Sequence, residues 1–403
     1  MFKYLKNLVT VAVIFAITAC SSSKTEDEPT PPPVEPSVVN TTVLVYMAAS
    51  NSLGVQKNDS MDIREMQQAA RLGHFNGNRL LVYHAGYLTT PTLSEVKADG
   101  SIVRLARYDN DTLSSVHAAR MKKVIADARK TAPSNTFGLV LWSHGDGWLQ
   151  NGLVENSLGE DTSKGSIVHK PQVAGWGVEH SQKMKITTLA KVLEQSQPID
   201  FLYFDCCYMN SVEVAYELRH AVPYIVGSVI ELPAEGMPYQ KTLKYLFKSE
   251  GPDLVAAAQC TFDHFDALQG DARTCAMSVI NTAGLDSLAA QTKRVYENTS
   301  LANVKNYKPQ AYMTSSTCYF YDLADYIYTR IGSDNPELAA DWEKAFNDVV
   351  IYSDSTPLLW NRLNLSRCNG LSTYLFKYNS SSLPNQYNSL SWYRDVAAWL
   401  IPE

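Results

Sequence analysis

The chain has 403 residues, of which 45% are hydrophobic and 19% are charged. This composition is typical of a globular protein that buries a large core, and it excludes a fibrous or wholly disordered chain. The formal net charge of −6 at pH 7 argues against a nucleic-acid partner, because surfaces that bind nucleic acid are strongly basic.

The first residues have the pattern of a bacterial export signal. Lys3 and Lys6 give a charged start, and residues 8–17 form an apolar stretch that is too short to span a bilayer. The stretch ends in the letters ITAC, which resemble the lipobox of bacterial lipoproteins. Residues 1–19 are therefore predicted to be a cleaved lipoprotein signal peptide, with Cys20 as the lipid-modified mature N-terminus. The alternative is an ordinary secretory peptide with a chance cysteine.

Residues 20–40 are rich in proline, serine and acidic side chains and almost free of large apolar ones. Such a segment cannot bury enough surface to fold, so it is predicted to be a solvated tether. Several acyl chains on Cys20 would hold the protein firmly to a membrane. We expect a monomer in the bacterial cell envelope, anchored to the outer membrane and either periplasmic or surface-exposed.

Beyond the tether, apolar runs typical of buried strands alternate with helical segments. Strands are predicted at residues 41–48, 79–84, 101–108, 137–142, 199–204 and 223–228, and helices at 59–72, 115–130, 188–195 and 211–219. This alternation predicts an α/β fold with a mostly parallel sheet flanked by helices. Residues 251–403 are interpreted as an extension of further strands and helices packed on the domain formed by residues 41–250, and no chemistry can be located in the extension.

Two of the predicted strands run into reactive side chains. His144 follows the strand at residues 137–142, and Cys207 follows the strand at residues 199–204. Ligands bind beyond the carboxyl ends of parallel strands, so the two side chains are expected at one edge of the sheet. An imidazole beside a thiol promotes its ionisation and can later protonate a leaving amine. Taken singly, each residue is more often structural than catalytic.

Gly145 adds a further expectation to this pair. Without a side chain, its backbone N–H can face a reacting carbonyl group. Together with the N–H of Cys207 it is predicted to form an oxyanion hole, in which each donor is worth roughly 3 kcal/mol.

The segments LVLWSHGDGW and YFDCCYMNSVEVAYEL resemble the histidine and cysteine motifs of clostripain-family peptidases, relatives of caspases, legumain and gingipains. Further matches to that family are TTVLVYMAASNSL, GSVIELPAEGMPY, GLSTYLF and YNSLSWYRDVAAWL, so the resemblance covers the mature chain. It implies a caspase-like α/β/α sandwich with its catalytic domain in residues 41–250. It also implies a cysteine endopeptidase with a Cys207–His144 dyad and a thioacyl-enzyme intermediate.

The resemblance also implies a substrate preference. In the family, the aspartate two residues before the nucleophile lies at the base of the pocket for the residue that precedes the scissile bond, and Asp205 keeps that position. Protein or peptide substrates cleaved after arginine or lysine are therefore expected, and a buried carboxylate suits such a cationic side chain. The alternative is that Asp205 caps the following helix.

Residues 159–185 form a polar excursion between the histidine and the cysteine, where relatives often carry a loop that is cut during activation. The excursion contains Lys164, Lys170, Lys183 and Lys185. An enzyme that prefers basic residues is predicted to cleave itself within this segment. The alternative is a hairpin with solvated lysines.

Cys206 replaces the small residue that is usual before the nucleophile. A vicinal disulfide with Cys207 would silence the enzyme on oxidation, but adjacent cysteines bond only with strain, and a simply packed thiol is the alternative. Cys260 and Cys275 lie in apolar runs and are predicted to be buried. Tyr208 stands where leucine is usual, and the acidic or small residues usual at positions 229 and 230 are missing.

The predicted chemistry needs no cofactor, and no metal site is expected because no ligands stand at zinc-like spacing beside the cysteine pair. Calcium is implied by the family resemblance alone, since no loop has the EF-hand pattern. The rival function is a catalytically silent surface lipoprotein that binds peptides or glycans through aromatic side chains, of which the chain has 23 tyrosines and 7 tryptophans.

Overall fold

The structure is a computed structural model that describes residues 36–110, 112–150, 174–179, 182–314, 318–376 and 387–398. The predicted signal peptide, Cys20, most of the tether, Lys164 and Lys170 lie outside these residues. Within the described ranges, none of the helices combines the length and the apolar content that crossing a membrane requires.

The helices and strands follow one another as the alternating pattern predicts. The strands are β1 (Val39–Ala49), β2 (Arg79–Gly86), β3 (Thr92–Val96), β4 (Ile102–Arg107), β5 (Ser134–Trp142), β6 (Gly145–Gln150), β7 (Ala174–Glu179), β8 (Gln182–Met184), β9 (Phe201–Asp205), β10 (Tyr224–Ser228), β11 (Ala276–Asn281), β12 (Tyr321–Asp322), β13 (Val350–Ser355), β14 (Leu358–Leu359), β15 (Leu363–Asn364) and β16 (Ser372–Thr373). The α-helices are α1 (Ser52–Val55), α2 (Asn58–Arg71), α3 (Ala118–Thr131), α4 (Ile186–Glu194), α5 (Val212–Leu218), α6 (Tyr239–Leu246), α7 (Leu254–Asp266), α8 (Leu285–Asn298), α9 (Leu323–Ile331) and α10 (Pro336–Val349).

One sheet has the strand order β13-β11-β10-β9-β5-β1-β2-β3-β4. Its five inner strands, from β10 to β2, pair in parallel, whereas the strands at both edges pair antiparallel. The predicted α/β fold with a largely parallel sheet is confirmed. Strands β11 and β13 come from residues 251–403, so the predicted extension continues the same sheet.

The inner strands are apolar because both of their faces are covered. On β1, Leu44 and Tyr46 belong to one hydrophobic core and Val43 and Val45 to the other, on the opposite face of the sheet. Alternate side chains of a strand point to opposite faces. A strand buried on both faces therefore reads as one continuous hydrophobic run, which is why the sequence reveals it.

Two features of the fold do not follow from the sequence pattern. Strand β3 lies between β2 and β4 in the sheet and was not predicted. A small separate sheet, in the order β6-β7-β8, begins directly after His144 and includes part of the predicted polar excursion. Strands β7 and β8 pair antiparallel, so this part of the excursion forms a small sheet beside the strand ends.

Candidate active site

Strands β5 and β9 are neighbours, and their last residues, Trp142 and Asp205, pair directly. His144 and Cys207 each follow two residues later, so the parallel arrangement delivers both to one edge of the sheet. The structure places them in the wall of a single cleft of about 380 Å³. A larger cavity of about 540 Å³ lies at the opposite ends of the same strands and contains neither residue.

The thiol of Cys207 lies against the chain that leaves β10. The backbone N–H of Leu232 donates to Sγ at 3.4 Å, and the carbonyl oxygen of the same residue lies 3.9 Å from Sγ. The N–H of Tyr208 donates to the carbonyl of Ile230 at 3.1 Å. Burial raises the pKa of Cys207 to about 12, although the Leu232 N–H opposes the rise. The thiol is therefore protonated at neutral pH and needs a base.

The imidazole of His144 is suited to be that base. Burial lowers its pKa, the charge of Asp146 opposes this effect, and the charge of Lys183 adds to it. The ring is therefore neutral at pH 7. Its Nε2 lies 2.8 Å from Oγ of Ser52. Within the described residues no hydrogen bond joins the ring to the thiol of Cys207, and such contacts often tighten only when substrate binds.

A buried polar frame holds the histidine from two sides. Nδ2 of Asn51 donates to the carbonyls of Ala48 and Val178 at 2.8 and 2.9 Å and approaches Oγ of Ser143 at 3.1 Å. Oδ1 of Asn51 caps α1, the helix that begins with Ser52. Through Asn51, hydrogen bonds connect three segments: the end of β1, Ser143 just before His144, and strand β7. The frame also places Ser52, the first residue of α1, beside the imidazole.

Asn51 and Ser52 belong to the segment TTVLVYMAASNSL, which resembles the clostripain family, but the sequence pattern alone assigns them no role. The signal that identifies them is the one that identified the histidine. Strand β1 is also an inner parallel strand, and Asn51 and Ser52 follow its carboxyl end at the same edge of the sheet.

Gly145 packs directly against the cysteine pair. A Cβ at this position would lie 2.6 Å from the carbonyl oxygen of Cys207 and 3.1 Å from Sγ of Cys206. Only glycine fits there without displacing the chain that carries Cys207. The close approach is compatible with the predicted oxyanion hole, which stays a prediction.

The described cysteines are all free thiols, so the alternative of a packed Cys206 describes this structure and the vicinal disulfide is not formed. Cys206 is buried, and burial raises the pKa of its thiol. Cys275 is buried as predicted. Cys260 was also predicted to be buried, but this residue, on α7, is only half-buried.

Tyr208, directly after Cys207, adopts a left-handed backbone with φ of 59°. This conformation is unfavourable for a bulky residue and is typically found where surrounding contacts impose it at a functional site. The ring of Tyr208 stacks on Phe320 with centroids 4.9 Å apart, and Asn210 donates its N–H to the carbonyl of Ser228 at 3.0 Å. The chain after Cys207 is therefore fixed by contacts at both Tyr208 and Asn210.

Asp205 is only 5% exposed and does not line the cleft that contains Cys207. Its Oδ1 accepts from the N–H of Met237 at 2.8 Å and its Oδ2 from the hydroxyl of Tyr239 at 2.9 Å. Burial raises the pKa of Asp205 despite these two donors. The helix-capping alternative is wrong, because α5 is capped by Ser211.

The two described lysines of the polar excursion are not simply solvated. Lys183, on β8, is buried, and its Nζ forms an ion pair of 2.6 Å with Asp146 in the wall of the cleft. Lys185 is half-buried at the start of α4. A solvated hairpin therefore does not describe this part of the excursion.

Two further residues of the cleft were missed by the sequence analysis. Trp360 comes from the extension, where no chemistry was located, and it lies in the turn between β14 and β15. Its indole Nε1 donates to Oε2 of Glu231 at 2.6 Å, and Glu231 lines the same cleft. No local pattern in the sequence marks this long-range contact.

No group of three or more histidine, cysteine, aspartate or glutamate side chains among the described residues is arranged to hold a metal ion.

Comparisons with known proteins agree with this geometry. The sequence model of the clostripain family matches residues 45–399. A secreted C11 cysteine protease from Bacteroides thetaiotaomicron, solved with an irreversible peptide inhibitor, is 27% identical with a TM-score of 0.73, and the match covers 89% of this chain and 99% of that one. An inactive zymogen C11 protease from Parabacteroides distasonis is 26% identical with a TM-score of 0.71, covering 90% and 99%. No curated protein matches the sequence.

Proposed function

The chain belongs to the clostripain family, and on that premise we propose that this cysteine peptidase is an endopeptidase with Cys207 as nucleophile and His144 as acid–base partner. The observation that carries the proposal is the position of the two side chains beyond the ends of neighbouring parallel strands, in one cleft. The pKa values of the pair agree with the proposal. Burial lowers the pKa of His144 and raises that of Cys207, so a neutral imidazole can accept a proton from a neutral thiol.

In the proposed reaction, His144 accepts the proton of the Cys207 thiol as Sγ attacks the scissile carbonyl carbon. The N–H groups of Gly145 and Cys207 stabilise the resulting oxyanion. As the C–N bond breaks, the imidazolium gives its proton to the leaving amine, and a thioacyl enzyme remains. The imidazole then takes a proton from water, whose hydroxyl adds to the thioester, and collapse of that adduct returns the thiol and releases the carboxylic acid.

A fluorogenic peptide with a basic residue before the fluorophore tests this proposal under reducing conditions. We expect turnover, and we expect a thiol alkylating agent to stop it with the label on Cys207. A protein that neither turns over such peptides nor accepts the label on Cys207 would instead support the alternative of a silent lipoprotein that binds peptides or glycans.

The preference for arginine or lysine is assigned to Asp205. Its support is the family resemblance together with the local chemistry: no lysine or arginine in the described part of the chain pairs with this buried carboxylate. A carboxylate has about four lone-pair sites, and Met237 and Tyr239 occupy one on each oxygen. A substrate cation can therefore still bind if the chain around Met237 opens toward the cleft.

Asp205→Asn is expected to lower kcat/KM for peptides cleaved after arginine by about 10- to 100-fold, the size of a lost charge-assisted hydrogen bond. A peptide with a neutral residue before the scissile bond should lose far less. In asparagine, Oδ1 can still accept from the N–H of Met237 while Nδ2 donates to the hydroxyl oxygen of Tyr239, and the thermal unfolding midpoint serves as the folding control. Equal losses for both peptides would contradict this role of Asp205.

Self-processing between residues 159 and 185 is the second finer proposal. Lys183 is the least suited of the two described lysines, because cleavage after it requires its ion pair with Asp146 to open. We expect incubation of the wild type to give two fragments whose new N-terminus follows one of the excursion lysines, while Cys207→Ala stays intact. A Cys207→Ala protein that nicks itself on storage would defeat the proposal.

The location of the enzyme is proposed from the N-terminal sequence. Cleavage before Cys20 and lipid modification of its thiol would hold the peptidase in the cell envelope, at the outer membrane. The Bacteroides thetaiotaomicron relative is described as secreted, which agrees with export of this chain. Calcium dependence stays an expectation from the family resemblance.

A further inference from the structure

Among the described residues that line the cleft with His144, three carry acidic or basic side chains, namely Asp146, Lys183 and Glu231. The first two neutralise each other through their ion pair of 2.6 Å. Glu231 has a different environment. Its Oε2 accepts from the indole N–H of Trp360 at 2.6 Å, and the hydroxyl of Tyr208 is its other side-chain partner.

Both of these partners are neutral donors. In the part of the chain that the structure describes, no lysine or arginine lies within ion-pair distance of Glu231. This half-buried carboxylate in the wall of the cleft thus has no described cation as its partner. A cation entering the cleft gains from this arrangement, because the carboxylate is already held in place by two hydrogen bonds.

Trp360 is held beside Glu231 by its own backbone. It lies in the turn between β14 and β15, where both Trp360 and Asn361 have positive φ, at 49° and 52°. Positive φ at both central residues is the geometry of a type I′ hairpin turn, and the N–H of Arg362 closes this turn by donating to the carbonyl of Leu359 at 2.9 Å. A second hydrogen bond of 2.9 Å runs from the Trp360 N–H to Oγ1 of Thr274. The turn presents an indole ring to the cleft, and the ring faces of tryptophan attract cations.

The position of Glu231 relative to the nucleophile is fixed by the backbone on both sides. Leu232 contacts Sγ of Cys207, and Ile230 accepts from the N–H of Tyr208. Glu231 therefore adjoins the scissile bond of any peptide that Cys207 attacks. Asp205, by contrast, does not line the cleft and is held by Met237 and Tyr239. The two carboxylates therefore face different surroundings.

We propose that Glu231 and Trp360 form a second cation-binding subsite, separate from Asp205, that binds an arginine side chain of the substrate close to the scissile bond. This inference rests on the proposed peptidase function and names its substrates more closely, as peptides with an arginine in addition to the residue that precedes the cleaved bond. Arginine is preferred over lysine because its planar guanidinium can donate to the carboxylate and stack on the indole at the same time.

A positional-scanning peptide library tests the subsite. The wild type is expected to prefer arginine at one position other than that preceding the scissile bond. Glu231→Gln should lower kcat/KM for peptides with arginine at that position by at least tenfold and keep the discrimination before the scissile bond. Trp360→Leu should reduce the ratio of arginine to lysine at the same position. Glu337→Gln, an exposed change on α10, is the matched control.

Two results would overturn the proposal. One is a Glu231→Gln enzyme whose preferences match the wild type at every position. The other is a variant that loses only the preference before the scissile bond, because Glu231 would then serve the same pocket as Asp205. Turnover by the wild type in the same library shows that the peptidase function stands in either case.

A binding measurement separates the subsite from catalysis. In a Cys207→Ala background, calorimetry with a peptide containing two arginines reports affinity without any turnover. Adding Glu231→Gln should weaken binding about tenfold, and unchanged affinity would overturn the subsite. If the wild type cleaves no peptide at all, the peptidase proposal fails, while this measurement still decides whether Glu231 binds arginine.

Discussion

Replacement of Cys207 by alanine is expected to reduce kcat for a basic-residue peptide by about 10⁴-fold or more, the scale on which loss of a nucleophile acts in other peptidases. The thiol supplies the only atom in the described cleft that the proposed mechanism uses for attack. The substitution removes Sγ from its contacts with Leu232 but leaves the strands and the frame around Asn51 in place. Single-turnover assays at equal concentrations of folded protein measure the loss.

The matched control is Cys206→Ala, which removes the adjacent thiol. Cys206 is buried and its Sγ packs close to Gly145. We expect turnover within a few-fold of the wild type and a loss of stability of about 1 kcal/mol, typical of a small buried truncation. An inactive Cys206→Ala protein beside an active Cys207→Ala protein would reverse the assignment of the two thiols.

The sequence predicts this pair of residues because its signal is local. A strand buried on both faces appears as a short apolar run, and its last residues mark the ligand-binding edge of a parallel sheet. His144 and Cys207 both follow such runs directly. The same rule applies to Asn51 and Ser52 after β1, although their roles become visible only when the distances to His144 and Ser143 are known.

Other parts of the site depend on contacts between distant segments and leave no local signal. Trp360 reaches the cleft because β13 joins the central sheet beside β11, which brings the following turn close to Glu231. Lys183 lies in a polar stretch that reads as solvated, yet Asp146 offers a partner charge and allows it to be buried. Such charge pairs and turn contacts join segments that are far apart in the sequence, so no short stretch of the sequence predicts them.

His144→Ala is expected to lower kcat/KM at pH 7 by about 10³-fold, a loss typical of removing a catalytic base. The physical reason lies in the thiol. With its pKa raised to about 12 by burial, the thiol of Cys207 is almost wholly protonated at pH 7 without help. The imidazole overcomes this low ionisation because it accepts the thiol proton as Sγ attacks the carbonyl carbon. Alanine has no group that can accept the proton.

The dependence of kcat/KM on pH gives the sharper evidence, because it reports the base directly. In the wild type, activity requires neutral His144, whose pKa burial lowers from its usual 6.5. Activity should therefore hold as the pH falls through 6.5 and decline only at lower pH, when the imidazole becomes protonated. In His144→Ala the plateau above this limb should disappear, and the residual rate should instead rise about tenfold per pH unit over the whole range as thiolate forms.

His264→Ala is the matched control for this profile, because burial also lowers the pKa of His264 and the residue lies on α7, outside the wall of the cleft. Its profile should keep the acid limb of the wild type. Measurement of kcat/KM between pH 5 and pH 10 for the three proteins decides the matter. A His144→Ala profile that keeps the wild-type plateau and its acid limb would mean that a group other than this imidazole accepts the proton, and the dyad would have to be abandoned.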